Sequence, residues 1–329
     1  MKKEPLVASS VATNTNDVAV IVSGESSVHT DLSYSLDEHH VVAEYHLRLS
    51  ALVLIKQLMH LCRDIQKHRG LGMGLLAGNE EFAAPFDVLQ KQMARRIYLL
   101  SAFSRDMAAP FSHVFTHSDM GKINEAWATI REGWYDDSVL ENFQFHNYFV
   151  EQLLQMVTAL THRLKSDAAT PTYLFNETSA EVTQQDELLV FICGQLPKMI
   201  EYLGMVRALA SHSATVGHHI EDHDKKLKYL CQCVQAEKLQ MIRVAEQLHH
   251  TMGSTLPALL VLQTYGFKVD AFVDKVTQQV IGQEKICLSS DTLFSMATEI
   301  MDVYWRVVDD GIDVLHHAQD EAVERWCVK

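Results

Sequence analysis

Proline and glycine, the two residues that interrupt regular backbone, are scarce: 6 prolines and 14 glycines occur in 329 residues. Average usage is about 5% and 7%. A chain this poor in breakers can sustain long elements, and no stretch alternates apolar and polar residues long enough to read as a strand. Positive charge is also short, with 28 Lys and Arg against 42 Asp and Glu and a net charge of −14. That field repels phosphate backbones and anionic lipid, so no direct nucleic-acid surface is expected. Any anion site must be a local basic pocket working against it.

Long hydrophobic runs are missing as well. The run 51–55 stops at Lys56, and the run 188–193 soon meets Pro197. Neither approaches the ~18 apolar residues of a membrane span. Lys2 and Lys3 precede only a short apolar segment at 18–22, too short for a signal-peptide core. A cytoplasmic protein without a membrane partner is the expectation. The six cysteines (Cys62, Cys193, Cys231, Cys233, Cys287, Cys327) form no C-x-x-C pair and read as reduced packing residues. P-loop, G-x-S-x-G and dinucleotide-binding glycine patterns are absent. We therefore expect no enzyme, no catalytic residues and no cofactor.

What is present is helical periodicity in a chain that is 47% hydrophobic. Residues 1–37 are polar and aperiodic and read as a disordered tail. Apolar residues then recur every three or four positions, predicting helices near 38–76, 81–107, 121–134 and 138–166. In the fourth, Phe145, Phe149, Leu153, Met156 and Leu160 are the expected inward stripe. Residues 167–182 are small and polar, contain Pro171 and form the expected linker, with 176–179 as a cap. Four more helices are predicted near 183–216, 218–251, 255–283 and 290–325, with Ser254 and Ser290 as N-caps. The fold class is all-α: 38–166 and 183–327 would make two four-helix bundles, or one elongated bundle built in two halves.

Two arginines interrupt apolar stripes. Arg69 falls in the series Leu58, Cys62, Ile65, Arg69, Gly72, Leu76, and Arg207 in the series Leu196, Ile200, Leu203, Arg207, Ala210. Burying an uncompensated guanidinium costs several kcal/mol, so each needs a counter-charge. A carboxylate on a facing helix would serve, and so would a bound anion held by the planar fork. Small neighbours (Gly70, Gly72, Gly74; Ala208, Ala210) leave room for the anion.

Three segments here resemble the nitrate- and nitrite-sensing (NIT) domain family. Gln66-Lys-His-Arg-Gly70 is similar to the family's Q-x-E-R-G, and Leu203-Gly-Met-Val-Arg-Ala208 to its L-x-x-(L/V)-R helix. The segment from Ser290 to Ile300 is similar to its closing A-T-containing helix. Order and spacing agree over roughly residues 45–315. The resemblance implies an all-helical sensor of two four-helix bundles that binds nitrate or nitrite with arginines, here Arg69 and Arg207. His68 stands where the family has glutamate and Glu299 where it often has a basic residue. Arg95, Arg96, Arg243 and Arg306 are further candidates by position only. Family members usually carry an output module, and none is expected in these 329 residues. The signal is then expected to pass to a separate output protein, through a change of oligomer such as a homodimer, or through the N-terminal tail.

Eighteen histidines raise a metal-binding bundle as a third reading, behind a ligand-free helical scaffold. His219/His223 and His113/His117 have i, i+4 spacing, but the stretch around 219–223 is polar and reads as a solvated face. Glu246-x-x-His249 is half of a di-iron motif without its second half. Metal ligands are therefore expected to be none. Asp309, Asp310 and Glu321 read as solvated helix faces.

Overall fold

The computed structural model describes residues 25–106, 115–165 and 178–328, and these are helical with no strand among them. The chain divides into two units, Met1–Ala43 and Glu44–Lys329. The first contains the beginning of helix α1 (Glu25–Leu76), so residues 25–37 are helical rather than part of a tail. Residues 1–24 of the expected tail lie outside the described residues. Everything below concerns the second unit.

Seven further helices follow: α2 (Ala83–Asp106), α3 (His117–Arg131), α4 (Val139–Leu164), α5, α6 (Glu221–Met252), α7 (Leu259–Gln279) and α8 (Ser290–Cys327). Helix α5 runs from Ser179–Val190 through a π-turn at Phe191–Gln195 into Leu196–Val216.

Local chemistry explains where the helices begin and end. Helix α1 stops at Gly78, whose φ of +93° is open to glycine at no steric cost. Its N–H bonds to Leu75 C=O and that of Asn79 to Gly74 C=O, the pattern that closes a helix through a left-handed residue. Three helices open with reciprocal capping boxes: Thr116 with Asp119, Ser138 with Glu141, and Thr178 with Glu181. The expected cap at 176–179 is thus Thr178, while Asn176 lies outside the described residues. Ser289, not Ser290, caps α8. Ser254 caps nothing; α7 starts two residues past Pro257, at Leu259, with no side-chain cap.

Helix α5 packs against α6 and α8, α6 against α7, and α7 against α8, so these four close on one another. Helix α3 lies between α2 and α4. Helices α1 and α8 run antiparallel, tied by Tyr45–Asp320, Lys56–Asp313, His60–Asp309 and Arg63–Asp302. Of these, His60–Asp309 shows that Asp309 is a partner of α1, not a merely solvated residue. The core runs through both halves and includes Leu58, Phe86, Phe149, Phe191, Phe272 and Trp305.

By length and composition α5 could cross a membrane: its most apolar window has a mean hydropathy of 1.3, and 61% of that window is buried. The apolarity answers to the neighbours α5 meets in the bundle. On α4 the expected stripe is buried at Phe149, Leu153, Met156 and Leu160 and fails at its first position. Phe145 is 38% exposed, and Asn142 and His146 face inward instead, between Phe143, Phe149 and Leu153. The helix spends polar residues on its inner face because they have polar partners there.

Candidate functional site

Arg69 and Arg207 are both buried, at 0% and 2% exposure, as their positions in apolar stripes require. What meets each guanidinium differs. Arg69 Nη1 donates to Glu201 Oε1 at 2.6 Å and to Asn147 Oδ1 at 2.5 Å, and Nη2 donates to Glu201 Oε2 at 3.2 Å. This is a two-pronged ion pair with α5, in the geometry a guanidinium fork favours. Gly204 on α5 makes it fit: a Cβ there would stand 2.8 Å from Arg69 Nη2.

Arg207 has no carboxylate within ion-pair distance among the described residues. Its Nη1 donates to Thr298 Oγ1 at 2.9 Å and its Nη2 to the backbone carbonyl of Gln66 at 2.7 Å. Its guanidinium carbon lies 4.7 Å from the centre of the Phe294 ring, an attraction that a cation gains from the ring face. The Nε of each arginine has no acceptor. Burial, followed by the nearby positive Arg69, lowers the Arg207 pKa to about 9. Asp302 and Glu201 act in the opposite direction, while the guanidinium's hydrogen bonds go to neutral acceptors.

Arg207 also lines a pocket of about 250 Å³. Helix α1 contributes His60, Arg63, Asp64 and Lys67, α2 contributes Gln92 and Arg96, and α8 contributes Thr298, Asp302 and Trp305. Four fixed cations (Arg63, Lys67, Arg96, Arg207) face two carboxylates, in a protein whose net charge is −14. At the mouth, Arg63 pairs with Asp302 and Arg96 with Asp64, each at 2.8 Å. Arg69 is not among the lining residues.

Gln66 joins the two environments. Its carbonyl accepts from Arg207, its Nε2 donates to Glu201 Oε2 at 2.8 Å, and its Oε1 accepts from Trp305 Nε1 at 3.3 Å. The two arginines expected to share an anion are therefore neighbours through one glutamine, with an ion pair at Arg69 and, at Arg207, a pocket that Arg69 does not line.

His68 is fully buried against α4. Its Nδ1 lies 2.8 Å from His146 Nε2, and His146 Nδ1 lies 2.7 Å from the Asn142 carbonyl. A carbonyl can only accept, so neutral His146 carries its proton on Nδ1 and His68 donates from Nδ1. Burial and the neighbouring His146 hold His68 well below its usual pKa. Burial, with Arg69 nearby, lowers His146 to about 3. Glu299 is far from this network in role: it is exposed on α8 and bonded to Lys268 and Tyr265.

Of the arginines marked by position, Arg96 lines the pocket, while Arg95, Arg243 and Arg306 are exposed and outside it. The His219/His223 pair is split. His219 is exposed, whereas His223 is buried and stacks edge-on against His212 at 5.0 Å. The polar reading of that stretch missed that α6 turns its residue 223 into the bundle. His113 lies outside the described residues. Among the described residues no group of three or more His, Cys, Asp or Glu could hold a metal ion.

Sequence reasoning did not find Glu201, Asn147, His146 or the rim residues Arg63 and Asp64. Gln66, Lys67 and Thr298 lay inside the motif segments, and only their roles were missing. Glu201 sits next to Ile200 in the α5 stripe, one position off the apolar series, and that offset was the available signal. Comparison with known proteins finds no matching family model, no matching curated protein and no matching solved structure.

Proposed function

We propose that this protein senses a small oxyanion, nitrate or nitrite by the resemblance of its three motif segments, in the pocket beside Arg207. One observation carries the reading: a buried guanidinium that makes no ion pair with a carboxylate among the described residues lines a polar pocket with more fixed cations than carboxylates. An oxyanion there would meet Arg207 from inside and Lys67, Arg63 and Arg96 from the mouth. Those side chains come from α1, α2 and α5, while Thr298 comes from α8, so a bound anion would tie both halves of the chain together. The finer architecture proposed is two four-helix bundles, α1–α4 and α5–α8, which this anion would clamp.

The clamp works only if the anion favours one packing over another, because a ligand shifts an equilibrium by its differential affinity and no more. Asp302 and Asp64 supply the competing state, each holding a rim arginine until the anion displaces it. The output is a separate partner protein or a change of oligomer.

The test is a calorimetric and thermal-shift panel of nitrate, nitrite, formate, bicarbonate, phosphate and sulfate. We expect nitrate or nitrite to stabilise wild type and to lose that effect in Arg207→Ala. The pocket has room for larger anions, and a stronger response to phosphate would move the ligand class while keeping the site. A second reading, a ligand-free helical scaffold acting by interaction alone, is favoured by the ion pair that already neutralises Arg69. No response to any anion in the panel would establish it over the sensor.

A further inference from the structure

A second recess lies elsewhere, in an open groove of about 880 Å³ between α3 and α4. Its α4 wall is Phe145, Tyr148, Gln152, Gln155 and Ala159, spaced by three, four, three and four residues. Its α3 wall is Asp119, Lys122, Ala126 and Thr129, spaced by three, four and three. This is the seam spacing by which one helix receives another, repeated on two adjacent helices, and every residue lining the groove among the described residues belongs to one of them. Phe145 and Tyr148 are 38% and 61% exposed although their helix buries most of its other aromatic and aliphatic residues. The Gln152 Oε1 is shielded from solvent and has no donor.

We infer that this groove is the docking site for a single amphipathic helix of a partner protein, one with basic residues flanking its apolar stripe. The geometry selects a helix, since the walls are two helical seams and the occupant completes a three-helix contact. The apolar anchors would be Phe145, Tyr148 and Met156, the last forming part of the floor. Charge selects the partner. Asp119, Glu125 and Glu151 line the groove, and the one cation, Lys122, is paired with Asp119 at 2.9 Å. A second copy of this chain placed symmetrically would set Glu125 and Glu151 against like charge, inside a body already at −14. Lysines or arginines beside the stripe would meet those carboxylates. The inference does not rest on the anion reading, since it uses no residue of the Arg207 pocket.

The test uses two synthetic peptides of one length and one leucine seam, with flanking lysines in the first and flanking glutamates in the second. Fluorescence anisotropy reads their binding to the full chain at moderate salt. We expect the lysine peptide to bind at least tenfold more tightly than the glutamate peptide. The double substitution Phe145→Ala/Tyr148→Ala should weaken it at least tenfold, with the helical circular dichroism unchanged. Glu125→Lys/Glu151→Lys should invert the preference between the two peptides. As a control for attraction by net charge alone, Glu221→Lys/Asp222→Lys on α6 should leave both affinities unchanged. Three results would each overturn the inference: equal binding of the two peptides, equal loss in the α6 control, or sedimentation showing a dimer that Tyr148→Ala dissolves.

Discussion

Two arginines three residues apart in helical phase from neighbouring glycines end in different electrostatic situations. Arg69 meets Glu201 on both prongs and is closed off completely. Arg207 meets a hydroxyl, a backbone carbonyl and an aromatic ring, and one side of it borders a pocket. A buried charge answered by a carboxylate is a finished piece of structure. One answered only by neutral groups keeps affinity in reserve for an anion. The pattern of the sequence made the two look equivalent; the partners on other helices separate them.

The strongest way to break that comparison is to unpair the finished one. Glu201→Ala should leave Arg69 buried and uncompensated, at a cost of about 3–5 kcal/mol. Chemical denaturation measures it, and a loss under about 1 kcal/mol would mean that Arg69 finds another counter-charge. Arg207→Ala should cost less in stability and more in ligand response. A charge-assisted hydrogen bond contributes roughly 1.5–3 kcal/mol, so anion affinity should fall about ten- to a hundredfold. Arg207→Lys should restore only part of it, because a point charge lacks the fork. If Arg69→Ala abolished anion binding while leaving stability unchanged, the contrast between the two arginines would be reversed.

The region around Arg69 also predicts a dependence of stability on acid pH. His146, held neutral to about pH 3 by burial, titrates near 6.5 when unfolded. Its folded pKa is depressed, so below about pH 6.5 the unfolded chain binds the proton that the folded chain refuses. Stability is therefore full above about pH 6.5 and is lost as pH falls toward 3, by about 1.4 kcal/mol per pH unit for this one group. His68, also depressed by burial, steepens the slope. Thermal midpoints measured between pH 7 and pH 4 check this, and His146→Gln should flatten the curve. A curve equally steep in that variant would place the acid sensitivity elsewhere, with the buried His212/His223 pair next in line.

Much of the fold was readable from periodicity because burial itself has a period. The stripe of Phe82, just before α2, and Phe86, Leu89, Met93, Ile97 and Leu100 along it is buried at every position, and eight helices among the described residues stand near where they were expected. Periodicity erred on α4. Phe145 lies in phase with Phe149 and Leu153, yet it is exposed because Asn142 and His146 take the inner face to meet the α1 network. It also placed His223 outside, since a helix that opens with charged residues can still turn one of them inward.

The site was readable in part, through two arginines that break an apolar stripe. Their division into a closed pair and an open pocket depends on Glu201 and on rim residues that only the packing of α1, α2, α5 and α8 brings together. No spacing along one helix encodes that meeting.

The smallest effect expected is also the one that best separates an anion pocket from a rim of ordinary salt bridges. Asp302 holds Arg63 at 2.8 Å, with both side chains partly solvent-exposed, at 47% and 40%. An exposed pair of this kind contributes roughly 0.2–1 kcal/mol, so Asp302→Asn should barely change stability. If the pocket takes an anion, the same substitution removes a competitor for Arg63 and a repelling charge near the mouth. Affinity should then rise by a factor of about 1.4–5, the same energy range read as an equilibrium constant. The sign decides the matter. A purely structural rim would give a neutral or slightly destabilised variant with an unchanged anion response. Calorimetric titration of wild type and Asp302→Asn with the best anion of the panel, at low and high ionic strength, makes the measurement. The gain should shrink at high salt, because screening weakens the repulsion that was removed. A fall in affinity in Asp302→Asn would show that the carboxylate positions Arg63 for the ligand rather than competing with it.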